Sequence, residues 1–262
     1  MKAKHYARLV GGVLASGAAI AVASYAALAG ITWYDYGSAK YQVNGDESDS
    51  LLDIYMPEYE VAERHRIRVD APVETTFAAA GEMKMQSKLL QAIFKLREVA
   101  LGCSESISRG DFTICRKAAQ PRKEATPQRS FLADVKANGW GVLAEIPGRE
   151  IVLGTVTQPW VPSPVFRTIP ADEFLAFHEP GYVKIVFTMC ADPVSTGESV
   201  ASTETRVATT DPVARAKFRR YWSLVSPGVV LVRRTLLRSL KAEAERQVRE
   251  LNGEYQTAEF WQ

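Results

Sequence analysis

The sequence predicts an α+β domain with an antiparallel sheet and a long C-terminal helix, preceded by one N-terminal transmembrane helix. Three features of the chain predict this arrangement. Residues 9–32 contain no charged side chain, segments with strand periodicity follow one another from residue 140 to 207, and a helical apolar stripe begins after residue 211. At 262 residues the chain is long enough for one sizeable domain with an appendage.

Composition narrows the classes of function. The hydrophobic fraction of 47% is ordinary for a globular protein, and the formal net charge is only +2. Binding to nucleic-acid phosphates requires a concentrated basic face, so this charge balance argues against DNA or RNA as a partner.

The N-terminal segment, residues 9–33, is predicted to cross a membrane. A run of about 20 apolar residues is enough to span a bilayer as a helix. Basic residues lie in residues 1–8 and acidic residues follow the run, so the positive-inside rule places the N-terminus in the cytoplasm and the domain outside it. An aromatic group fits a belt at the far interface: Trp33, Tyr34 and Tyr36.

A cleavable signal peptide is the alternative to an anchor. Ala27-Leu28-Ala29 has the small-x-small pattern of a cleavage site before Gly30. The length of the uncharged run and the aromatic residues after it favour the anchor, and both alternatives export the domain. Residues 34–60 are predicted to form a linker and a short docked segment that ends near Pro57.

The domain itself is predicted to cover residues 61–251, with 252–262 as a C-terminal tail. Its first strand alternates, with the basic residues Arg64, Arg66 and Arg68 on one face. The other face carries His65, Ile67 and Val69, and this face is predicted to point inward. A helix start follows at Pro72, with Glu74 near the positive end of the helix dipole.

This opening resembles the START-like helix-grip superfamily (SRPBCC), which includes lipid-transfer domains and polyketide cyclases. The matching positions are Ile67, Val69, Ala71, Pro72, Glu74 and Phe77. The resemblance covers roughly residues 61–80 and 140–250, and the C-terminal run also resembles membrane-attached bacterial members. It implies a curved antiparallel sheet that wraps around a long C-terminal helix, with a cavity between them that takes apolar ligands.

The remaining elements are predicted from periodicity. An apolar stripe after Asp211-Pro212 comprises Ala214, Phe218, Tyr221, Trp222 and Val225. Pro227 and Gly228 interrupt it, and a second stripe continues to Leu251, so one long helix, kinked or broken, is expected. Two helices are predicted at 75–81 and 87–101, and strands at 140–146, 150–160, 173–177, 182–189 and 199–207.

The chemical motifs are notable for what is missing. The sequence has no P-loop, no dinucleotide-binding glycine pattern, no paired-cysteine zinc motif and no His-Glu-x-x-His helix, so no cofactor and no metal are predicted. Cys103 and Cys115 can form a disulfide in an exported domain, and reduced buried cysteines are the alternative.

Seven residues are candidates for ligand contact: His65, Trp160, Phe187, Glu204, Arg206, Tyr221 and Trp222. For His65 the alternative is a hydrogen-bonded core histidine. Glu204 and Arg206 lie two apart on a strand and form either an ion pair, with Arg219 or Arg220 as further partners, or a polar anchor in an apolar pocket. The four aromatic residues either fill the core or line the cavity.

Two classes of function remain from the sequence. The first is a membrane-tethered domain that binds a lipid or another apolar small molecule between sheet and helix. The second is a cyclase- or aromatase-like enzyme acting on a polyketide-like substrate, for which the sequence offers no recognisable catalytic set. An envelope interaction protein with a filled interior is a third possibility. The balance leans against catalysis, and the oligomeric state stays open.

Overall fold

The computed structural model describes residues 23–36, 50–83, 130–161 and 163–259. Residues 9–22 of the predicted transmembrane segment 9–33 therefore lie outside the described residues, as do the predicted helix at 87–101, Cys103 and Cys115. None of the described helices combines the length and the apolarity needed to cross a bilayer.

The elements follow one another along the chain as expected for an α+β domain. Helix α1 covers residues 23–35. The next elements are α2 (Ser50–Tyr55), β1 (Val61–Val69), α3 (Val73–Glu82) and α4 (Phe131–Ala137). They are followed by β2 (Gly141–Ile146), β3 (Glu150–Thr157), α5 (Ala171–Ala176), β4 (Val183–Ser195), β5 (Glu198–Thr209) and α6 (Pro212–Glu259).

The five strands form one antiparallel sheet in the order β1-β5-β4-β3-β2. The first strand of the domain thus pairs with its last strand, and β5 leads directly into α6. The predicted antiparallel sheet and long C-terminal helix are confirmed. Asp211 caps that helix, because its Oδ1 accepts from the backbone N–H groups of Val213 and Ala214 at 2.7 and 3.0 Å.

Both faces of the sheet are covered. The inner face packs against α3, α4 and α6 through a core that includes Val69, Leu153, Met189 and Leu240. The outer face packs against α2 and α5 through a second core with Leu52, Val186 and Phe174. Neither face of the sheet is therefore fully exposed to solvent, because two short helices cover the outer face.

Two sequence predictions change in detail. The strand predicted at 173–177 is instead the helix α5, because Pro170 sets its start, acidic residues occupy its first turn and Phe174 turns into the outer core. Helix α6 continues through Pro227 over its 48 residues. A proline removes one backbone hydrogen bond of a helix, and Val225 and Val229, on either side of it, pack against the same apolar cluster.

Candidate functional site

A group of polar side chains lies between the inner face of the sheet and α6. We call it the inner polar cluster: Glu63, His65, Thr203, Thr205 and Arg233. The strand register creates most of it, because Glu63 lies opposite Thr205, and His65 lies opposite Thr203. Residues that face each other in an antiparallel pair point to the same side of the sheet. On the next strand, Phe187 lies opposite Thr205.

Arg233 reaches the cluster from α6. It lies four residues after Val229 and four before Leu237, so helical spacing places it on the face that packs against the sheet. Its guanidinium carbon lies 4.1 Å from the centre of the Phe187 ring, and its Nε is fully buried. Desolvation lowers the pKa of Arg233 to about 10, although the charge of Glu63 acts in the opposite direction.

His65 and Glu63 are adjacent on the same face of β1, and His65 Nε2 lies 3.7 Å from Glu63 Oε2. Burial, with help from the charges of Arg234 and Arg233, lowers the pKa of His65 below its usual range. Burial also raises the pKa of Glu63, although the same two arginines oppose that shift. The imidazole is therefore neutral at pH 7 and can accept or donate a proton.

Four buried polar atoms of the cluster have no hydrogen-bond partner among the residues that the structure describes. They are Thr203 Oγ1, Thr205 Oγ1, His65 Nε2 and Arg233 Nε. A buried polar group without a partner costs about 1–3 kcal/mol, and native proteins contain few of them. Four of these atoms lie in the inner polar cluster, which makes it the candidate site.

The expected cavity of several hundred Å³ is not found within the described part of the chain. Side chains fill the space between sheet and α6 there, and the Arg233 guanidinium itself covers Phe187. A crevice between α3, β4 and α6, lined by Phe77, Met189 and Leu240 among others, leaves essentially no room for a water-sized sphere. Pockets for drug-sized ligands measure about 300–1,000 Å³, so this crevice cannot hold such a ligand without movement of side chains.

Five of the seven candidate residues lie on the inner side. His65 belongs to the cluster, and Phe187 borders it. Trp160, Tyr221 and Trp222 lie in a neighbouring apolar group around Phe218, whose ring lies 5.9 Å from that of Trp222. Trp222 is buried, whereas Trp160 and Tyr221 are half-buried. The structure thus gives the polar cluster an aromatic flank.

Glu204 and Arg206 lie on the outer face, away from the other candidates. Arg206 donates from Nε to Glu204 Oε1 at 2.7 Å, and from Nη1 to Asp53 Oδ1 at 2.6 Å. Glu204 Oε2 also accepts from Arg64 Nε at 2.6 Å. The partners of this outer ion-pair network are therefore on β1 and α2, not Arg219 or Arg220.

Each ionised side chain of the outer network has a partner of opposite charge. Arg206 also donates to the backbone oxygen of Met56 at 2.9 Å, and its guanidinium lies 4.7 Å from the centre of the Tyr59 ring. Desolvation acts to lower the pKa of Arg206, but its bonds and charge interactions with Glu204 and Asp53 outweigh that effect and raise it. The network fastens α2 and the segment after it to the sheet.

Sequence reasoning missed Arg233 and the two threonines. Arg233 belongs to a basic pair, Arg233-Arg234, and such pairs usually lie in solvent. The signal that identifies it is its spacing from Val229 and Leu237, which extends the apolar stripe through the arginine. Thr203 and Thr205 alternate with Glu204 and Arg206 along β5. If Glu204 and Arg206 lie on the outer face of the sheet, the two threonines must lie on the inner face.

No protein-family model and no curated protein sequence matches the chain. The solved structures similar to it include three with TM-scores of 0.25 to 0.31. The di-domain ARO/CYC BexL from the BE-7585A biosynthetic pathway has a TM-score of 0.30 and 15% identity, and the match covers 71% of this chain and 46% of that one. This chain thus spans less than half the length of that structure.

In the other two structures the match covers nearly the whole of the solved chain. A conserved protein from Geobacillus kaustophilus has a TM-score of 0.31 and 13% identity over 71% of this chain and 96% of its own. The Zhui aromatase/cyclase from Streptomyces sp. R1128 has a TM-score of 0.25 and 10% identity over 72% of this chain and 95% of its own. TM-scores this low leave the activity of this chain open.

Proposed function

We propose that the protein binds a small molecule with an apolar body and an oxygen-bearing head between the inner face of the sheet and α6. The observation that carries this proposal is the concentration of unpartnered buried polar atoms at Thr203, Thr205, His65 and Arg233. Hydroxyl, imidazole and guanidinium groups can all donate to a carboxylate, enolate or carbonyl oxygen. The aromatic flank around Phe218 suits an apolar body.

Binding requires the Arg233 side chain to move. Its guanidinium lies over Phe187, where a desolvated cation–π contact is worth about 2 kcal/mol. A ligand that offers an anionic oxygen to the guanidinium and an apolar surface to the ring replaces both interactions. A neutral apolar molecule replaces only the contact with the Phe187 ring and offers the guanidinium no anionic oxygen. We therefore expect selectivity for acidic or enolisable apolar molecules.

Native mass spectrometry of the full-length chain, released from detergent, tests this proposal. We expect a co-purified small molecule, or binding from a panel of fatty acids and aromatic carboxylic acids. Arg233→Met keeps an unbranched side chain over Phe187 but removes the charge, so it should lose the ligand. Arg215→Met, at an exposed position of the same helix, should keep it. Equal retention by both variants, or no binding by the unmodified chain, contradicts the proposal.

The second candidate function is a cyclase-like reaction on an enolisable carbonyl compound, and the position of the Glu63 carboxylate near the His65 imidazole favours it. The His65 imidazole, neutral because burial lowers its pKa, is a suitable base to remove a proton from the carbon next to a carbonyl. The negative charge that develops on the carbonyl oxygen would lie near the Arg233 guanidinium. Glu63, 3.7 Å from Nε2, would stabilise the resulting imidazolium.

Analysis of the products after incubation with a substrate distinguishes catalysis from binding alone. Incubation of the chain with a poly-β-ketone analogue should release a cyclised or dehydrated product if the enzyme function holds, and His65→Gln should abolish turnover while keeping binding. Recovery of unchanged substrate, bound at a measurable affinity, leaves the protein as a binding module.

We also propose that residues 9–33 anchor the domain in a membrane with the N-terminus in the cytoplasm. The uncharged run, the basic residues before it and the aromatic residues after it support the anchor. Alkaline carbonate extraction of membranes should leave the protein in the pellet with its N-terminal segment intact. A soluble mature chain that begins at Gly30 would instead identify a signal peptide.

A further inference from the structure

Helices α1 and α6 contact each other, and both carry exposed apolar side chains. They are joined by three polar contacts: Tyr25 Oη donates to the backbone oxygen of Leu224, Ser226 Oγ lies 3.1 Å from Thr32 Oγ1, and Arg219 Nη2 donates to the backbone oxygen of Trp33 at 2.8 Å. Beside these contacts, large apolar side chains remain exposed on both helices. We call them the apolar face: Leu28, Ile31 and Tyr34 on α1, and Leu224 and Leu231 on α6.

The α6 part of this face is an uncharged segment between basic ends. Residues 221–232 contain no charged side chain, a length of about 18 Å of helix. Exposed arginines adjoin it on the same stripe, Arg220 four residues before Leu224 and Arg234 three residues after Leu231. Lys217 and Arg238 extend the stripe at the two ends, and both are exposed.

The basic residues at both ends of the uncharged segment favour a bilayer surface as the partner of the apolar face. A protein partner of mixed charge would not require basic residues at both ends of an uncharged apolar stripe. The interfacial region of a bilayer does, because acyl chains take the leucines while arginine side chains extend to the phosphates of the head groups. Residues 9–22, which precede α1 in the sequence, also contain no charged residue, so the uncharged apolar sequence is longer than the α1 part of the apolar face.

We propose that the middle of α6 lies in the plane of a membrane surface, with Leu224 and Leu231 in the acyl region and Arg220 and Arg234 on anionic head groups. This inference rests on the proposed membrane attachment but adds a second, folded contact to it. It also brings the middle of α6, and with it the Arg233 end of the inner polar cluster, close to a source of acidic lipid. An N-terminal anchor alone would not fix the orientation of α6 relative to the membrane surface.

Photo-crosslinking tests the contact in the full-length chain. Benzoyl-phenylalanine is placed at Leu224 or Leu231, which are 54% and 42% exposed, and the protein is reconstituted in nanodiscs of phosphatidylcholine and phosphatidylglycerol in equal amounts. Val194, 47% exposed near the β4–β5 turn, serves as the matched control. We expect lipid adducts at Leu224 and Leu231, enriched in phosphatidylglycerol, and none at Val194.

The outcomes distinguish this inference from the anchor. A chain that stays on the nanodisc but gives no lipid adduct at Leu224 and Leu231, or gives adducts between two protein copies, overturns the inference and leaves the anchor standing. A chain that does not associate with nanodiscs overturns both. In Arg220→Gln/Arg234→Gln the share of phosphatidylglycerol among the adducts should fall to its share in the bilayer, whereas Arg149→Gln, on the exposed β3 end, should leave the enrichment unchanged. Undiminished enrichment in the double variant contradicts the role given to the arginines.

Discussion

Replacement of Thr203 or Thr205 with valine is expected to stabilise the unliganded protein and to weaken ligand binding. Valine keeps the branched shape of threonine and removes only the hydroxyl group. The hydroxyl oxygens of both threonines are buried without a hydrogen-bond partner among the described residues, and such a group costs about 1–3 kcal/mol. Each valine should therefore raise the free energy of unfolding by about 1 kcal/mol or more.

Thermal unfolding of the full-length chain in detergent, after removal of bound ligand, measures this effect. For a domain of this size 1 kcal/mol corresponds to a shift of about 2–4 °C in the midpoint. Thr188→Val is the matched control, because Thr188 is equally buried on the neighbouring strand but donates to Glu150 Oε1 at 3.1 Å. This variant leaves a buried carboxylate with one bond fewer, so it should lower the midpoint.

The same variants should bind ligand more weakly, by about fivefold to tenfold for each lost hydrogen bond. Stability and affinity thus move in opposite directions, as expected for polar groups reserved for a ligand. If Thr203→Val and Thr205→Val lower the midpoint as much as Thr188→Val does, the two hydroxyls already have partners and the reasoning fails.

Two further predictions concern the charged residues of the sheet. Arg206→Met leaves the buried Glu204 carboxylate with one arginine fewer and should cost about 3–5 kcal/mol, a loss of about 6–20 °C in the unfolding midpoint. Arg149→Met, which breaks an exposed pair, should cost less than about 1 kcal/mol, and an equal loss in both variants would count against the buried network. Since burial lowers the pKa of His65 below 6.5, the unfolded chain takes up a proton before the native one as the pH falls, so stability is full above pH 6.5 and declines below it. His65→Asn should flatten that decline in melting curves, and a wild-type profile in His65→Asn would contradict this assignment.

Much of the fold could be predicted from periodicity. The period of two in β1 placed His65 on the same side as Val69, and the period of 3.6 after Asp211 gave the long helix. The pairing of the first strand with the last was implied only by the resemblance, because strand order depends on contacts between distant residues that no local pattern contains.

The face of β5 that points inward could not be predicted. A strand between two covered faces is buried on both, and the burial of Thr203, Glu204, Thr205 and Arg206 is nearly uniform. Alternation then tells which residues share a face but not which face meets α6. Charge suggested that Glu204 and Arg206 mark the site, whereas their partners Arg64 and Asp53 become visible only in three dimensions.

Four consecutive positions of β5 provide a comparison within one strand. Glu204 and Arg206 point outward and every one of their charged groups is paired, so the fold can satisfy buried polar groups where only stability is required. Thr203 and Thr205, just as buried, point inward and have no partner among the described residues. Burial, backbone and strand are the same for both pairs, so the difference lies in what each face contacts. The inner face contacts α6 and its Arg233, another group with an unpartnered buried nitrogen, and this concentration on one side of the sheet is why we place ligand binding there and not at the stronger charges outside.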